Sequence, residues 1–559
     1  LITVAELVPS NMIDASFENA VTDAAPIGTW IPKEVVPYGG FGTSRVTASN
    51  GYQTSGSKAF LVRFLGDANS YTSISHKVSS LTTGATYRFA FNYKQSNSGV
   101  FNARANMFAS AALNGDSTTA IGSKFKTTAP ADITAAQSAS SGSFTFVAPS
   151  ESVYLVFEKE ALAANFLLYI DNLSLSKVVT VPNNEVVTLT TAEPVDTLVV
   201  EAGGNVVVSS PVTVTGDLTF KADNTSTFSA NLGNNSIAVT GNVNFVRYMD
   251  DHSWYFMSFP CDVTVADIKN AANGIAMGAD LVIMYYDGGS RYTNGTSAGS
   301  NWKAFTDPIL IGKKGYAFGI RTGAGIFHVK FPLSKTIVAG DTNTGIPVVA
   351  HGSGVNGGWN LVGQPYISRF AYTGSNAGVP FMLFADGLVG QTYSTKSRFD
   401  GKVIDPFAAY FVQIAATGDI SFDKVGRTNA PAAVATDFSD FVRLNMTTAT
   451  GTDNTNLIMD NGQSTTYEIG QDMEKWIGLG TDKPQIYTSL GGINYSYNAL
   501  PMTNVVNLPI GVYTKTAGIT TISVDATQAP SLSQLILKDN LNGATTNLLT
   551  SNYTYIATA

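Results

Sequence analysis

Tyr87-Arg88-Phe89-Ala90-Phe91-Asn92-Tyr93 is the stretch that decides the fold class of this chain. Its bulky rings, Tyr87, Phe89, Phe91 and Tyr93, fall on every second residue. A pleated strand puts such a set on one face, whereas a helix would scatter it around the axis. Strand-length segments of the same kind lie on either side. Ala59-Phe60-Leu61-Val62-Arg63-Phe64 precedes it, and Ser143-Phe144-Thr145-Phe146-Val147 and Val153-Tyr154-Leu155-Val156-Phe157 follow. Phe166-Leu167-Leu168-Tyr169-Ile170-Asp171-Asn172-Leu173-Ser174-Leu175 closes the block. So many strands in one domain-sized length predict a two-sheet jelly roll over residues 1–177.

Beyond it the texture changes. Thr197-Leu198-Val199-Val200, Gly203-Gly204-Asn205-Val206-Val207-Val208, Val212 to Phe220 and Ile237 to Val243 are short β-branched runs with Gly or Asn at the corners. A run of this kind cannot bury its own apolar face and must stack on a neighbour, so residues 178–246 predict a short β-solenoid or meander. This segment reads as structural, and no site is assigned to it. Residues 247–432 are the richest in aromatics and predict a central β domain. One short helix is expected near Val263–Lys269, with Thr264 or a neighbour as N-cap. Residues 433–559 return to strand and turn and predict a C-terminal β-sandwich. The fold class expected is all-β and multidomain.

Bulk composition agrees and narrows function. A chain of 559 residues is too long for one core. Charged residues make up 13%, roughly half the usual share of about 25%, yet Val, Ile, Phe and Tyr recur throughout, which argues against disorder. A net charge of −8 with scattered Lys and Arg leaves no basic track for nucleic acid. No apolar run reaches membrane-spanning length. No leader is read at Leu1, which fits either a processed mature protein or a numbering that starts downstream of the chain's own beginning. Cys261 is the single cysteine, so no intrachain disulfide forms, and its apolar surroundings predict an inert thiol.

Two resemblances sharpen these expectations. Asn11-Met12-Ile13-Asp14-Ala15-Ser16-Phe17-Glu18-Asn19, the following Trp30 and the closing Tyr169-Ile170-Asp171-Asn172-Leu173 resemble jelly-roll carbohydrate-binding modules. That resemblance implies a structural Ca²⁺ near Glu18 and Asp171, although two carboxylates alone are too few ligands for it. In the early loops Tyr38 and Phe41, flanking Gly39-Gly40, are the candidate aromatics for stacking on sugar rings.

The later motifs, in order, resemble Bacteroidetes surface proteins exported by the type IX secretion system. They are Arg247-Tyr248, Trp254 to Pro260, Gly357 to Tyr366, Tyr410-Phe411-Val412, Tyr467 to Lys475, and Leu537-Lys538-Asp539. The resemblance implies a C-terminal sorting domain, which either is removed during export or lies beyond Ala559. Asp116-Ser117-Thr118 and Asp196-Thr197-Leu198 look like the acceptor used for O-glycosylation in such bacteria, which makes Ser117 and Thr197 candidate sites.

His76, His252, His328 and His351 lie far apart in sequence without zinc spacing. No nucleophile elbow or P-loop is present. Paired acids are the rival, with Asp250-Asp251 and Asp405 the best candidates for glycoside hydrolysis. Adjacent acids on one strand point to opposite faces, which favours a solvated turn. The expectation is therefore a non-catalytic, extracellular cell-surface protein for adhesion or glycan binding, with no catalytic residue and with a glycan or surface macromolecule as partner. Two alternatives stand beside it. One is a self-assembling subunit of a filament, sheath or layer, completed through its terminal edges Ile2–Ala5 and Tyr553–Ile556. The other is a polysaccharide-degrading enzyme.

Overall fold

A computed structural model describes residues 2–4, 30–33, 45–48, 58–64, 73–97, 105–113, 117–127, 140–159, 166–189, 195–223, 226–250, 254–268, 280–296, 301–320, 326–335, 344–372, 380–386, 392–397, 400, 402–428, 441–478, 482–501 and 507–558. The chain is almost entirely β, as its alternation requires. The first part is a sandwich of two five-stranded sheets. In one, Ser73–Ser79, Ser152–Lys159 and Ala105–Ser110 lie between Trp30–Lys33 and Ala120–Lys126. In the other, Lys58–Phe64, Phe166–Val181 and Thr86–Asn97 lie between Arg45–Ala48 and Ser140–Val147. Phe89, Phe91, Phe144, Phe146, Leu155 and Phe157 fill the space between the sheets. Each large side chain so buried contributes on the order of 1.5–3 kcal/mol.

The Phe166–Val181 strand carries the chain into the next architecture. Up to Val178 it runs antiparallel to Thr86–Asn97. From Lys177 onward it also runs parallel to Val195–Val200, with a register shift at Lys177/Val178. From there the chain winds as a parallel solenoid with two main ladders and a shorter one in which Val212 faces Ile237 and Val214 faces Val239. In one main ladder, Val181 faces Val200, Val200 faces Phe220, and Phe220 faces Phe245. In the other, Val187 faces Val206, which faces Ala230. Corners stack as tightly as strands do. A Cβ on Gly216 would lie 2.6 Å from the Asp196 carbonyl oxygen, and Gly241 sits equally close over Gly216, so no side chain fits there. The Val243–Asp250 strand ends the ladder by pairing antiparallel with Ile326–Leu333, which covers an otherwise open sheet edge.

Residues 243–422 hold an internal repeat. In the first copy the nested pairs are Val243–Asp250 with Ile326–Leu333, Trp254–Met257 with Tyr316–Ile320, Val263–Thr264 with Ile309–Leu310, and Leu281–Tyr286 with Trp302–Ala304. In the second they are Thr344–Val348 with Gly418–Phe422, Trp359–Gly363 with Ala409–Gln413, Phe370–Ala371 with Val403–Ile404, and Phe381–Asp386 with Thr392–Ser397. Nested pairing of this kind is a jelly-roll winding, executed twice. Registers agree as well: Trp254 faces Gly319 as Trp359 faces Gln413, and Met257 faces Tyr316 as Val362 faces Tyr410.

The copies meet across a pseudo-twofold axis. Met257 bridges to Ala408 as Val362 bridges to Lys314. The Ser258 N–H donates to the Phe407 carbonyl, and the Gly363 N–H to the Lys313 carbonyl, both at 3.0 Å. Lys313 and Phe407 share the left-handed backbone, with φ of 65° and 62°. The short helix expected near Thr264 spans Val265–Ile268. A second helix, Gly288–Asn294, was not foreseen from sequence. Asp287 caps it by accepting from the N–H groups of Gly289 and Ser290.

The last part is built on an eight-stranded mixed sheet. Its main order is Ile510–Tyr513, Gln485–Leu490, Ile493–Leu500, Gly451–Met459, Phe441–Thr448, Gly518–Gln528 and Tyr553–Ala557. It docks on the second repeat through a shared apolar cluster that includes Trp359, Phe411, Phe441, Met473 and Tyr497. Both terminal strands end their sheets. Ile2–Val4 pairs parallel with Val186–Leu189, and Tyr553–Ala557 pairs antiparallel with Gly518–Gln528. Among the described residues no helix is long and apolar enough to cross a membrane.

Candidate ligand groove on the solenoid

The sites expected from sequence divide into those the structure describes and those it does not. Glu18, Tyr38 and Phe41 lie outside the described residues, as do Asp251 and His252. Asp171 sits in the Phe166–Val181 strand opposite Asn92, at a register shift beside Asn172, whose φ is +53°. Among the described residues no group of three or more His, Cys, Asp or Glu is placed to hold a metal ion. Ser117 opens a short 3-10 turn, Ser117–Thr119. The Thr197 hydroxyl donates to Asp196 at 2.9 Å. Asp196 in turn is ion-paired with Arg88 of the sandwich at 3.2 Å.

Asp250 and Asp405, two of the candidate acids, fall among the described residues. The Asp250 N–H donates to the Tyr255 hydroxyl at 3.0 Å, and Asp405 accepts from Arg369 Nε at 3.1 Å. His76 is buried on the sandwich's inner face, where desolvation pulls its pKa down to about 4. Cys261 is half-buried, and that burial pushes its thiol up. The Tyr467–Lys475 motif is an interlock. Tyr467 donates to Gln413, Asp472 accepts the N–H groups of Glu468 and Ala499, and Lys475 donates to Asp453.

The solenoid, to which the sequence assigns no ligand site, carries a groove of about 440 Å³. That is within the roughly 300–1,000 Å³ of ligand-binding clefts. Its wall follows from the parallel register. On Leu218–Ala222 the inward residues Leu218, Phe220 and Ala222 are core, which turns Lys221 outward. On Val243–Asp250 the inward Phe245 and Met249 turn Val246 and Tyr248 outward. Lys221 lies opposite Val246, and Tyr248 opposite His328. Glu201, just past the end of its strand, donates a carboxylate to the same face, and Asp223 follows Ala222 at the far corner.

The geometry of these groups is specific. Lys221 Nζ donates to Glu201 Oε1 at 2.8 Å, with both side chains about a third exposed. The Tyr248 and His328 rings meet edge to face, with centroids 5.2 Å apart. Asp223 Oδ1 accepts the Ser226 N–H at 2.7 Å, which fixes the carboxylate at the groove's end. Beneath the wall, the Arg247 guanidinium lies over the Tyr255 ring at 4.9 Å. Burial lowers its pKa, opposed by the charges of Tyr255, Asp223 and Asp405. The groove thus offers carboxylate acceptors, an ammonium donor, an imidazole and an aromatic ring within one concavity. Such a set suits a polyhydroxylated ligand, since each hydroxyl both donates and accepts and a sugar's C–H face packs on a ring.

No family model matches the chain, and no curated protein does. Similar solved structures exist for part of it. TmCBM61, a carbohydrate-binding module solved with β-1,4-galactotriose, is 14% identical over 29% of this chain and 94% of its own, with a TM-score of 0.20. The CBM22-1 xylan-binding domain of Paenibacillus barcinonensis Xyn10C is 12% identical over 29% and 91%, with a TM-score of 0.21. The K1 cleaved adhesin domain of Lys-gingipain from Porphyromonas gingivalis W83 is 14% identical over 29% and 95%, also with a TM-score of 0.21. These neighbours are carbohydrate-binding and adhesin domains.

Proposed function

We propose that this chain is a non-catalytic extracellular protein of a cell surface that adheres by binding glycan, with the solenoid groove as a ligand site. The observation that supports this is the groove itself, where Glu201, Lys221, Asp223, Tyr248 and His328 converge on one face of the parallel ladder. The loop aromatics Tyr38 and Phe41 belong to the same proposal as a second contact on the sandwich. The order of motifs that resembles type IX substrates suits export to such a surface.

The test is a glycan array followed by titration calorimetry on the full chain. Wild type is expected to bind a defined set of oligosaccharides without releasing reducing ends or unsaturated products. Tyr248→Ala removes a ring contact worth about 1 kcal/mol, so affinity falls roughly five- to tenfold while the melting profile holds. Absence of binding to any glycan, or turnover of a polysaccharide, refutes the proposal.

A further inference from the structure

We infer that the groove takes an uncharged oligosaccharide and discriminates against uronates, sialosides and sulfated glycans. This rests on the proposal that the groove is a glycan site and names its ligand class. The basis is that the charges of the groove are compensated internally. Lys221 is already bound to Glu201 at 2.8 Å. Two more cations border the groove: Arg247 lies under the wall against Tyr255, with the charge of Asp223 acting on it, and Lys330 stands opposite Val246 on the neighbouring strand. An anionic ligand would have to take Lys221 from Glu201 and would then face both Glu201 and Asp223. A cationic ligand would find each carboxylate already next to a cation.

A neutral sugar breaks neither pair. Its hydroxyls can donate to carboxylate lone pairs that the existing contacts leave over, since a carboxylate offers about four acceptor positions. They can accept from an ammonium whose three donors are not all spent on one oxygen. Its apolar face rests on Tyr248, which the edge contact with His328 holds in place. The shape agrees with this. The lining spans successive rungs from Glu201 through Lys221 and Val246 to His328, along the stacking direction of the solenoid. A groove of that length suits a short chain of sugars better than a single unit.

Three probes of matched length separate the outcomes: a neutral β-galactan oligosaccharide, an oligogalacturonide and a chitosan oligomer, each titrated into the full chain at low and at moderate salt. The neutral probe is expected to bind at least about tenfold more tightly than either charged one, with little salt dependence. In Glu201→Gln/Asp223→Asn the oligogalacturonide is expected to gain affinity, because Lys221 is released and both repelling carboxylates are gone. A wild-type protein that binds the uronate or the chitosan as tightly as the neutral probe, through a site lost in Tyr248→Ala, overturns this inference and leaves glycan binding standing. Binding of none of the probes, nor of any glycan on the array, removes the glycan reading and this inference with it.

Discussion

Replacing Glu474 by Gln tests whether the docking of the last domain depends on a buried charge. Arg291, on the capped Gly288–Asn294 helix of the first repeat, pairs with Glu474 at 2.5 Å. Their side chains are 3% and 12% exposed. Trp476 Nε1 donates to the same carboxylate oxygen at 3.0 Å, and the guanidinium sits 5.4 Å from the Trp476 ring and 5.7 Å from Trp359. Burial raises the pKa of Glu474, and Arg291 is the main force holding it down. Glu474→Gln therefore leaves a cation in an apolar box with no counter-charge. Breaking one partner of such a pair costs about 3–5 kcal/mol, whereas an exposed pair is worth about 0–1 kcal/mol.

Arg291→Met combined with Glu474→Leu removes both charges, and is expected to recover part of that loss. Arg291 Nε already lacks a hydrogen-bond partner, so the main polar group orphaned is Trp476 Nε1, at a cost of about 1–3 kcal/mol. The assay is a double-mutant cycle read by thermal unfolding, with limited proteolysis reporting release of the C-terminal part. Several modules unfold in such a chain, so the proteolytic readout identifies which transition moved. A Glu474→Gln shift of only about 1 kcal/mol or less, or a double variant as damaged as the single one, refutes the reasoning.

Acid should weaken the first sandwich through His76. Its pKa is held near 4 instead of 6.5, so the folded state binds fewer protons than the unfolded one between those values. Stability is fully present above pH 6.5 and is lost as pH falls towards 4, by on the order of 3 kcal/mol. His76→Gln flattens that slope in pH-dependent melting, and an unchanged slope refutes it. At the pseudo-symmetric junction, Lys313→Gly relieves a left-handed non-glycine residue and should stabilise by up to about 1 kcal/mol after the entropy of glycine is counted. Phe407→Gly relieves the same backbone yet should cost about 3–5 kcal/mol. Its ring is buried against Phe245, Phe228 and Phe259, and like-signed effects in denaturant melts would contradict this.

Much of the architecture is legible because strand alternation and β-branched rungs are local signals. Tyr87 to Tyr93 needs no tertiary information to declare its inner face, and the Val-rich runs between Gly corners declare that they must stack. The duplication in residues 243–422 escapes such reading. Trp254 and Trp359, Pro260 and Pro365, and Tyr316 and Tyr410 correspond, but the residues between them share burial more than identity. The groove is hidden for another reason. Glu201, Lys221, Asp223, Tyr248 and His328 each look like an ordinary outward residue of a strand or corner, and only the parallel register of the rungs, with the antiparallel pairing of Tyr248 and His328, brings them to one face. A signal was available: aligning the rungs on Val200, Phe220 and Phe245 and reading the outward positions would have placed Lys221 beside Glu201. Helix Gly288–Asn294 hid because Gly288-Gly289 is a poor helix start without the Asp287 cap.

Arginine recurs at the joints between these modules. Arg88 ties the sandwich to the solenoid through Asp196. Arg369, from the second repeat, reaches Asn205 Oδ1 and the Thr227 carbonyl on the solenoid while pairing with Asp405. Arg427 donates to the Gly233 carbonyl at 2.9 Å, and Arg291 reaches into the last domain. A planar guanidinium with five donors can satisfy carbonyls and a carboxylate from different modules at once, which a lysine cannot do with the same fixed geometry. Charge is scarce in this composition, and much of it at the joints serves to hold one module on the next. The groove departs from that pattern, because Glu201 and Lys221 belong to adjacent rungs of the same solenoid and face solvent. Their pairing secures no joint that the ladder of Leu218 and Phe220 does not already secure, so under the proposed function a ligand could engage the pair without loosening the solenoid.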